Sequence, residues 1–533
     1  MYCWRDSPAM TSSQNIIIGI DAGTSIIKAV AFDLSGQQLT TASVRNRYST
    51  GGDGSATQSL PQTWIDCASA LRRLGEKVDD LAARTIAVAV TGQGDGTWLV
   101  GRDNTPVADA WLWLDARAAP TVTSLASRDL NRARFEATGT GLNTCQQGVQ
   151  LAHMDRFVPE LLDKTEVALH CKDWLYLNMT GVRATDPSEA SFTFGNFRTR
   201  QYDDVVIDAL GLNHRRKLLP EIIDGTEISH PLTTEAAKAC GLLAGTPVCL
   251  GYVDMVMTAL GAGVRSGGLN AACSTIGSTG VHMRAKSVAD VHLNQEGTGY
   301  VIALPIPGIV TQVQTNMGST INIDWILGIA SSLMAGAGKS VSHAELIARI
   351  DDWVAESQPG SVLYHPYISE AGERGPFVNA HARAGFTGLS TRHGFPDLIR
   401  SVVEGLGLAT RDCYAAMGSM PDELRITGGA TRSNALRRSL SAAIDAPIRQ
   451  SRREETGAAG AAMMAAVATS IYSSMDDCIA NWVTPLLGDV EKPDAQETAR
   501  FDRLFAAYVD IRTAMPPAWD KLATATTRLP DDA

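Results

Sequence analysis

Several features are missing from the 533-residue sequence, and each absence excludes a class of protein. No GxxxxGK(S/T) motif occurs, so a P-loop is not the source of any nucleotide binding. The nine cysteines stand singly, with no CxxC pair, so neither a zinc site nor a disulfide framework is indicated, and a reducing, cytoplasmic compartment is expected. No apolar run approaches the ~20 residues of a membrane-spanning helix, and the residues before Ile16 lack the basic region and apolar core of a signal peptide, so neither is expected.

Positive charge is also scarce, with 46 Lys and Arg residues against 57 Asp and Glu and a net charge of -11. Nucleic acids and anionic membranes are bound by clustered Lys and Arg, so neither is expected as a partner. The composition is that of a globular protein, and the length predicts two large domains. A small molecule is the expected partner, while association into a homo-oligomer stays open.

The order of predicted elements is that of an α/β protein. Runs such as "TIAVAVTG" alternate with stretches such as "PQTWIDCASALRRLGEKVDDLAAR", in which apolar residues recur at helical spacing. The opening "IIIGIDAGTSIIKAVAFD" predicts strand, tight turn and strand, and "AACSTIGSTGVHM" repeats that unit, which indicates two related domains. The expected divisions are a tail at 1–14 with Met1 or Met10 as the start, domains at 15–265 and 266–490, and a peripheral helix and tail at 491–533.

The predicted turns carry residues that suit a phosphorylated ligand. The first turn combines an acid, two hydroxyls and a cation. In "LRITGGATRSNALRRSLSAAIDAPI", the pair Gly428 and Gly429 precedes a helix whose N-terminal N–H groups and dipole favour an anion. Each signal alone has an ordinary explanation, an Asp in a turn or glycines in close packing. Their combination favours phosphate binding.

Nine segments in a fixed order carry a more specific signal: "GIDAGTSIIKAVAFD", "WLDARA", "KDWLYLNMTG", "TDPSEAS", "GYVDMVMTALGAG", "STIGSTG", "ERGPFVNAHARAGFTGL", "VVEGLGLATRD" and "ITGGATRSNALRRSLSAAIDAPI". Through them the chain resembles the FGGY family of carbohydrate kinases over Ile16 to Ala468. The resemblance implies an α/β fold of two ribonuclease-H-like domains, of the actin and hexokinase type, with an active-site cleft between them. It also implies phosphorylation of a carbohydrate hydroxyl with ATP and Mg²⁺ as cofactors.

The resemblance further implies which residues bind Mg-ATP. Asp21 would hold Mg²⁺ through water, because Mg²⁺ prefers oxygen ligands and keeps waters when it is bound to phosphates. The remaining contacts are implied for Thr24, Ser25 and Lys28 in the first phosphate hairpin, for Gly277, Ser278 and Thr279 in the second, and for Gly428, Gly429 and Ser433 on the adenosine side. Lys28 stands where many relatives carry Arg, which keeps the charge and loses the bidentate fork, and Ser433 stands where some carry Asn.

Asp254 is the expected catalytic residue, at the family's spacing before Gly261 in "DMVMTALG". A sugar hydroxyl is a poor nucleophile, so phosphoryl transfer needs a carboxylate that accepts its proton. The ordinary alternative for this residue is a helix N-cap.

The substrate pocket is expected in the first domain. Trp113, Asp115 and Arg117 supply an apolar wall and hydrogen-bonding charges, although a Trp alone also suits a core. Gln93 and Asp95 align with a substrate loop, and Asp254 would contact the same substrate. Glycerol kinases carry Arg-Glu and xylulokinases Met-His where this chain has Gly94 before Asp95.

Gly94 opens space and Asp95 keeps an acceptor, which favours an open-chain polyol. The stretches "TGQGDGTWL" and "DAWLWLDARAAP" are most similar to family members that act on erythritol. Pentuloses such as L-xylulose, pentitols and glycerol remain alternatives. An actin-like ATPase switch would share the hairpins, and a sugar-responsive regulator would need a DNA-binding segment that the residues before Ile16 do not provide.

Overall fold

A computed structural model describes residues 15–268 and 270–526 as two compact units. Unit 1 contains the residues through Ser266, together with 301–311 and 453–486. Unit 2 contains 267–300, 312–452 and the residues from Leu487 onward. Each unit combines helices with a mixed sheet, which confirms the predicted α/β class.

The strands, in chain order, are β1 (Ile16–Ala22), β2 (Ile26–Asp33), β3 (Gln38–Arg45), β4 (Ser49–Thr50), β5 (Ala56–Gln58), β6 (Thr85–Gly92), β7 (Trp98–Val100), β8 (Ala110–Trp111), β9 (Val167–Leu169), β10 (Ala184–Thr185), β11 (Gly195–Asn196), β12 (Gln201–Tyr202), β13 (Glu221–Ile222), β14 (Ser229–Pro231), β15 (Pro247–Leu250), β16 (Ala271–Ile276), β17 (Gly280–Ser287), β18 (Tyr300–Ala303), β19 (Ile309–Asn316), β20 (Leu363–His365), β21 (Gly385–Thr387), β22 (Glu423–Thr427) and β23 (Ile448–Gln450).

The α-helices are α1 (Leu60–Gly75), α2 (Leu81–Arg84), α3 (Ala119–Ala126), α4 (Asn131–Thr138), α5 (Gln147–Phe157), α6 (Pro159–Asp163), α7 (Cys171–Thr180), α8 (Pro187–Phe194), α9 (Asp204–Leu210), α10 (Thr234–Cys240), α11 (Asp254–Ala262), α12 (Thr320–Gly336), α13 (His343–Ala348), α14 (Ile350–Glu356), α15 (Phe395–Ala416), α16 (Asn434–Ile444), α17 (Thr456–Ala468), α18 (Met475–Trp482), α19 (Ala495–Ala514) and α20 (Pro516–Thr526). None of the helices in the described ranges has the length and apolarity to cross a membrane.

The main sheet of unit 1 has the strand order β14-β15-β6-β1-β2-β3. Every residue of β1 except Asp21 is buried, as expected for a central strand written as a nearly continuous apolar run. β1 pairs antiparallel with β2, so that Asp21 lies opposite Lys28, and it pairs parallel with β6, which pairs parallel with β15. The carboxyl ends of β15, β6 and β1 therefore lie side by side at one edge of the sheet.

Helices α11 and α17 of unit 1 pack at very close range. A Cβ atom at Gly261 would lie 2.1 Å from the Thr456 carbonyl oxygen, and one at Gly460 would lie 2.2 Å from that of Met257. α17 also packs on β1, where a Cβ atom at Gly19 would lie 2.0 Å from the Ala458 carbonyl oxygen. Only glycine allows these contacts. Together they fix the position of α11, which begins at the edge of the sheet.

In unit 2, strands β17, β16, β22 and β23 are neighbours in that order. β16 and β17 form an antiparallel hairpin, and β16 pairs parallel with β22, so unit 2 repeats the strand-turn-strand arrangement of unit 1. The sequence predicts a peripheral helix after Glu491, but Phe501 and Tyr508 of α19 are fully buried and pack in a cluster with Tyr367. These aromatic side chains make α19 part of the core of unit 2.

Candidate active site

Three carboxyl groups meet at the edge of the unit 1 sheet. Asp21 lies near the end of β1, Asp95 lies in the loop after β6, and Asp254 begins α11 after β15. Because these strands are parallel neighbours, their carboxyl ends bring the three residues together, as in other open α/β sheets. Asp254 interacts electrostatically with both Asp21 and Asp95.

The Asp254 carboxyl is held in a form that can exchange a proton near neutral pH. Burial, followed by the charge of Asp21, raises the pKa of Asp254 to about 7, while the backbone N–H groups of Met255 and Gly94 act in the opposite direction. The Met255 N–H donates to Asp254 Oδ1 at 2.7 Å. The N-cap of α11 is Val253, so Asp254 is not the capping residue of this helix.

Asp21 is the residue from which the sequence predicts a contact with hydrated Mg²⁺. Burial raises the pKa of Asp21 to about 6, with Lys28 lowering it and Glu455 raising it. A Cβ atom at Gly457 would lie 2.6 Å from Asp21 Oδ2, so glycine at this position leaves the carboxyl its space. Among the described residues no group of three or more His, Cys, Asp or Glu side chains could hold a metal by itself. A lone carboxylate fits Mg²⁺ that keeps its waters and binds nucleotide phosphates.

Lys28 forms an ion pair within unit 1, with Nζ 2.7 Å from Glu455 Oε2. Its side chain is 35% exposed, and Lys28 lies in β2, just after the turn that the sequence assigns to phosphate. Ser25, in the same turn, is exposed.

A chain of hydrogen bonds joins the first hairpin to the predicted substrate residues. Trp113 Nε1 donates to Thr24 Oγ1 at 2.9 Å, and Thr24 Oγ1 donates to Gln93 Oε1 at 2.8 Å. Gln93 Nε2 in turn donates to Gln58 Oε1 at 2.7 Å. Trp113 is 42% exposed and is therefore not a core residue. The structure thus brings Thr24, Gln93 and Trp113 together in unit 1.

Asp115 and Arg117 form a rigid pair beside this chain. The Asp115 carboxylate is fully buried and accepts hydrogen bonds from the Ala56 N–H at 2.9 Å and from Arg117 Nη2 at 2.6 Å. The Arg117 guanidinium lies 3.6 Å from the centroid of the Trp111 ring. Asp115 therefore orients Arg117, whose side chain remains 24% exposed.

A buried polar cluster lies next to Gly94, and none of its residues is among the site residues predicted from the sequence. Glu189 Oε2 lies 3.4 Å from His170 Nε2, and His170 Nδ1 lies 3.0 Å from Asp173 Oδ2. Lys172 Nζ binds Asp173 Oδ1 at 2.6 Å and also pairs with Asp186. The segments "KDWLYLNMTG" and "TDPSEAS" contain all of these groups except His170, but charged residues in a sequence are normally attributed to the surface. The close spacing of charged residues at the starts of α7 and α8 is the sequence signal that could have indicated the cluster.

The second predicted hairpin, in unit 2, is the turn between β16 and β17. Ser278 and Thr279 are exposed at its tip. The Gly277 carbonyl accepts hydrogen bonds from the Thr320 N–H and hydroxyl, each at 2.9 Å, which anchors the turn to the start of α12. The exposed hydroxyls of Ser278 and Thr279 therefore lie on a turn whose position is fixed by hydrogen bonds.

The predicted adenosine-side residues have distinct local roles. Gly428 has φ of +100°, and a Cβ atom there would lie 2.4 Å from the Ile276 carbonyl oxygen, whereas one at Gly429 would meet nothing within 4 Å. Ser433 is the N-cap of α16, and its hydroxyl donates to Asp351 Oδ1 at 3.0 Å. The Ala435 N–H also donates to Asp351 Oδ1 at 3.0 Å. The first N–H groups of α16, expected to serve an anion, are thus bonded to a carboxylate of the chain itself.

Comparison with known proteins finds related sequences that span residues of both units. Residues 16–261 and 269–469 match the models of the N-terminal and C-terminal domains of the FGGY family of carbohydrate kinases. The erythritol kinase of Brucella abortus (strain 2308) is 73% identical over 516 residues, which cover 97% of this chain and 99% of that protein. The xylulose kinase of Escherichia coli (strain K12) is 28% identical over 497 residues, which cover 91% and 96%. The crystal structure of gluconate kinase from Lactobacillus acidophilus shares the fold, with a TM-score of 0.86 at 21% identity over 95% of this chain and 99% of that one.

Proposed function

The chain belongs to the FGGY family of carbohydrate kinases, and we propose that it phosphorylates a terminal hydroxyl of erythritol with ATP as the phosphoryl donor. One observation carries the choice of substrate, the likeness to the Brucella abortus erythritol kinase over nearly the whole length of both proteins. The product is erythritol phosphate, which makes the reaction a step in the breakdown of a sugar alcohol. Because the reaction uses ATP, we infer a cytoplasmic location.

Asp254 is the proposed general base. Its carboxylate accepts the proton of the attacking hydroxyl as the phosphoryl group is transferred, which is the role that phosphoryl transfer to an alcohol requires. The position at the first residue of α11 fixes the carboxyl, since the Met255 N–H donates to Oδ1. A pKa of about 7 for Asp254 supports this role, because the best general bases have pKa values near the working pH.

The proposed polyol site consists of Trp113, Gln93, Arg117 and Asp95. The exposed Trp113 ring offers an apolar surface for C–H groups, and its orientation is fixed by the hydrogen bond to Thr24. Arg117, oriented by Asp115, supplies donors to hydroxyl oxygens. Asp95 supplies an acceptor in the loop after β6. Donors and acceptors at fixed positions suit a substrate that carries a hydroxyl on every carbon.

The proposed ATP contacts lie in both units. Thr24, Ser25 and Lys28 in unit 1 and Gly277, Ser278 and Thr279 in unit 2 are assigned to phosphates, and Gly428, Gly429 and Ser433 are assigned to the adenosine side. Asp21 would hold Mg²⁺ through water, and the bound ion would supply positive charge that stabilises the transferring phosphoryl group. The tip of the second hairpin, with two exposed hydroxyls, supports its assignment.

The proposal is tested by coupled ADP release with Mg-ATP against erythritol, glycerol, ribitol, xylitol, L-arabitol, D-xylulose, L-xylulose and L-ribulose, comparing kcat/KM. We expect erythritol to give the highest value. A higher value for a ketopentose would overturn the substrate and leave the kinase chemistry in place. ADP release that no member of the panel stimulates would overturn the kinase assignment and favour an ATPase switch or a regulator.

A further inference from the structure

Gly94 leaves a space beside Asp95 that the Glu189 side chain borders. A Cβ atom at residue 94 would lie 3.3 Å from Glu189 Oε1 and 2.3 Å from Val253 Cγ2. Any side chain at residue 94 would therefore displace Val253 and crowd Glu189. Glycine at residue 94 therefore leaves room for both the Val253 side chain and the Glu189 carboxyl.

The Glu189 carboxyl is buried without the hydrogen bonds that a buried carboxylate needs. Glu189 is 0% exposed, and neither of its oxygens has a hydrogen-bond partner among the described residues. Asp95, which is 6% exposed, likewise has one oxygen, Oδ1, with no partner within the described part of the chain. Orphaned buried oxygens are rare and require an explanation. Glu189 and Asp95 also interact electrostatically.

The charges around Glu189 do not balance if every group is ionised. The acidic groups that act on Glu189 are Asp95 from the loop after β6 and Asp186 at the start of α8, and the basic groups are Lys172 and His170 at the start of α7. Asp173 of α7 pairs with the same two basic groups. The cluster would then hold four buried carboxylates, one ammonium group and one imidazole. An uncompensated buried charge is strongly unfavourable, so the cluster holds at least one proton on a carboxyl.

Glu189 is the carboxyl that best retains this proton. Asp173 is bonded to both Lys172 and His170, and Asp186 accepts from the Ser188 N–H at 2.7 Å and pairs with Lys172. Glu189 has only the 3.4 Å contact with His170. Burial raises the pKa of Glu189 to about 8, which agrees with this assignment from the contacts.

We propose that Glu189 is a positioning residue for Asp95. Its protonated, neutral carboxyl lies beside the Gly94–Asp95 segment and sets the charge and orientation with which Asp95 accepts a hydrogen bond from a polyol hydroxyl. Ionised Glu189 would place a second negative charge beside Asp95 and disturb that contact. This inference rests on the proposed function, and it adds a residue that determines how tightly the polyol binds.

Two substitutions at Glu189 separate this role from packing. Glu189→Gln has the shape of the protonated acid and its donor, so we expect the KM for polyol at pH 7 to stay within about threefold of wild type. Glu189→Leu removes the polar group beside the Gly94–Asp95 segment, and we expect the KM for polyol to rise about tenfold, with the KM for ATP unchanged. Asp66→Leu, which removes another buried carboxyl of unit 1, is the matched control and should leave the KM for polyol unchanged.

The pH profile and a double mutant complete the test. In wild type the KM for polyol should rise above about pH 8 as Glu189 ionises, and in Glu189→Gln this rise should be absent. Combining Asp95→Asn with Glu189→Leu should raise the KM no further than Asp95→Asn alone, because Glu189 acts through Asp95. If Glu189→Leu fails to fold, the comparison of the KM for polyol between wild type and Glu189→Gln above pH 8 still tests the proposal.

Three results would overturn the inference: equal damage from Gln and Leu at residue 189, additive effects of the Asp95 and Glu189 substitutions, or identical alkaline pH profiles in wild type and Glu189→Gln. The measurements use whichever polyol of the panel gives wild type its highest kcat/KM. A preferred polyol other than erythritol therefore overturns the proposed substrate and leaves the Glu189 test intact. If no polyol is phosphorylated, both proposals fall.

Discussion

The hydroxyl of Thr24 accepts a hydrogen bond from Trp113 Nε1 at 2.9 Å, which ties the first hairpin to the exposed indole. The same hydroxyl donates to Gln93 Oε1 at 2.8 Å. One small side chain therefore fixes two residues of the proposed polyol site. Thr24, in the turn assigned to phosphate binding, therefore also holds residues of the proposed polyol site in place.

This link predicts the effect of Thr24→Val, which keeps the shape of the side chain and removes its hydroxyl. Trp113 loses its acceptor and Gln93 loses a donor, so we expect the KM for polyol to rise about tenfold. Steady-state kinetics with polyol and ATP varied in turn provide the measurement. Thr123→Val on the exposed face of α3 is the control. An unchanged KM for polyol would show that the hydrogen-bond chain does not support the substrate site.

The close packing of α11 on α17 predicts a stability effect at Gly261. A Cβ atom there would lie 2.1 Å from the Thr456 carbonyl oxygen, so Gly261→Ala forces the two helices apart and should destabilise unit 1 by about 1–3 kcal/mol. Gly75→Ala is the matched control, because a Cβ atom at the exposed end of α1 meets only Leu81 Cδ2 at 3.8 Å. Thermal unfolding should show a lower Tm for Gly261→Ala and an equal or higher Tm for Gly75→Ala. Equal Tm values in the two variants would contradict this packing.

The buried Glu189 predicts how stability depends on pH. The pKa of Glu189 is about 8 in the folded protein and 4.5 in its ordinary state, so the folded protein keeps a proton that the unfolded chain releases between these values. The stability due to this group is complete below about pH 4.5 and is lost as the pH rises toward about 8, by up to about 1.4 kcal/mol per pH unit. Glu189→Gln cannot ionise, so its Tm should fall less than that of wild type over the same range. Parallel Tm curves would contradict the raised pKa of Glu189.

Much of the fold follows from local patterns in the sequence. The apolar run from Ile16 predicts β1, the hydroxyl-rich turn and β2, and the structure confirms all three. The residue order also predicts Asp254 just after a strand, and parallel pairing of β1, β6 and β15 then brings Asp21, Asp95 and Asp254 to one edge. Local periodicity and strand topology are enough to assemble this part of the site.

Other features depend on contacts between residues far apart in the chain. The place of α17 in unit 1 rests on the close contact of Gly19 with Ala458, which no local pattern encodes. Likewise, the sequence shows that Ser433 follows the two glycines. It does not show that Asp351, from another segment, accepts hydrogen bonds at the start of α16. The pairing of Glu189 with the space at Gly94 also joins separate segments, so it emerges only in three dimensions.

The most direct test of the account is the formation of erythritol phosphate from erythritol and Mg-ATP, followed by ³¹P NMR in wild type and Asp254→Asn. Loss of the general base should lower kcat by about 100-fold or more and leave the KM for ATP nearly unchanged. Wild type should therefore accumulate erythritol phosphate in step with ADP, and Asp254→Asn should form it at least about 100-fold more slowly. Near-normal product formation by Asp254→Asn, or ADP formed by wild type without a phosphorylated polyol, would contradict the account.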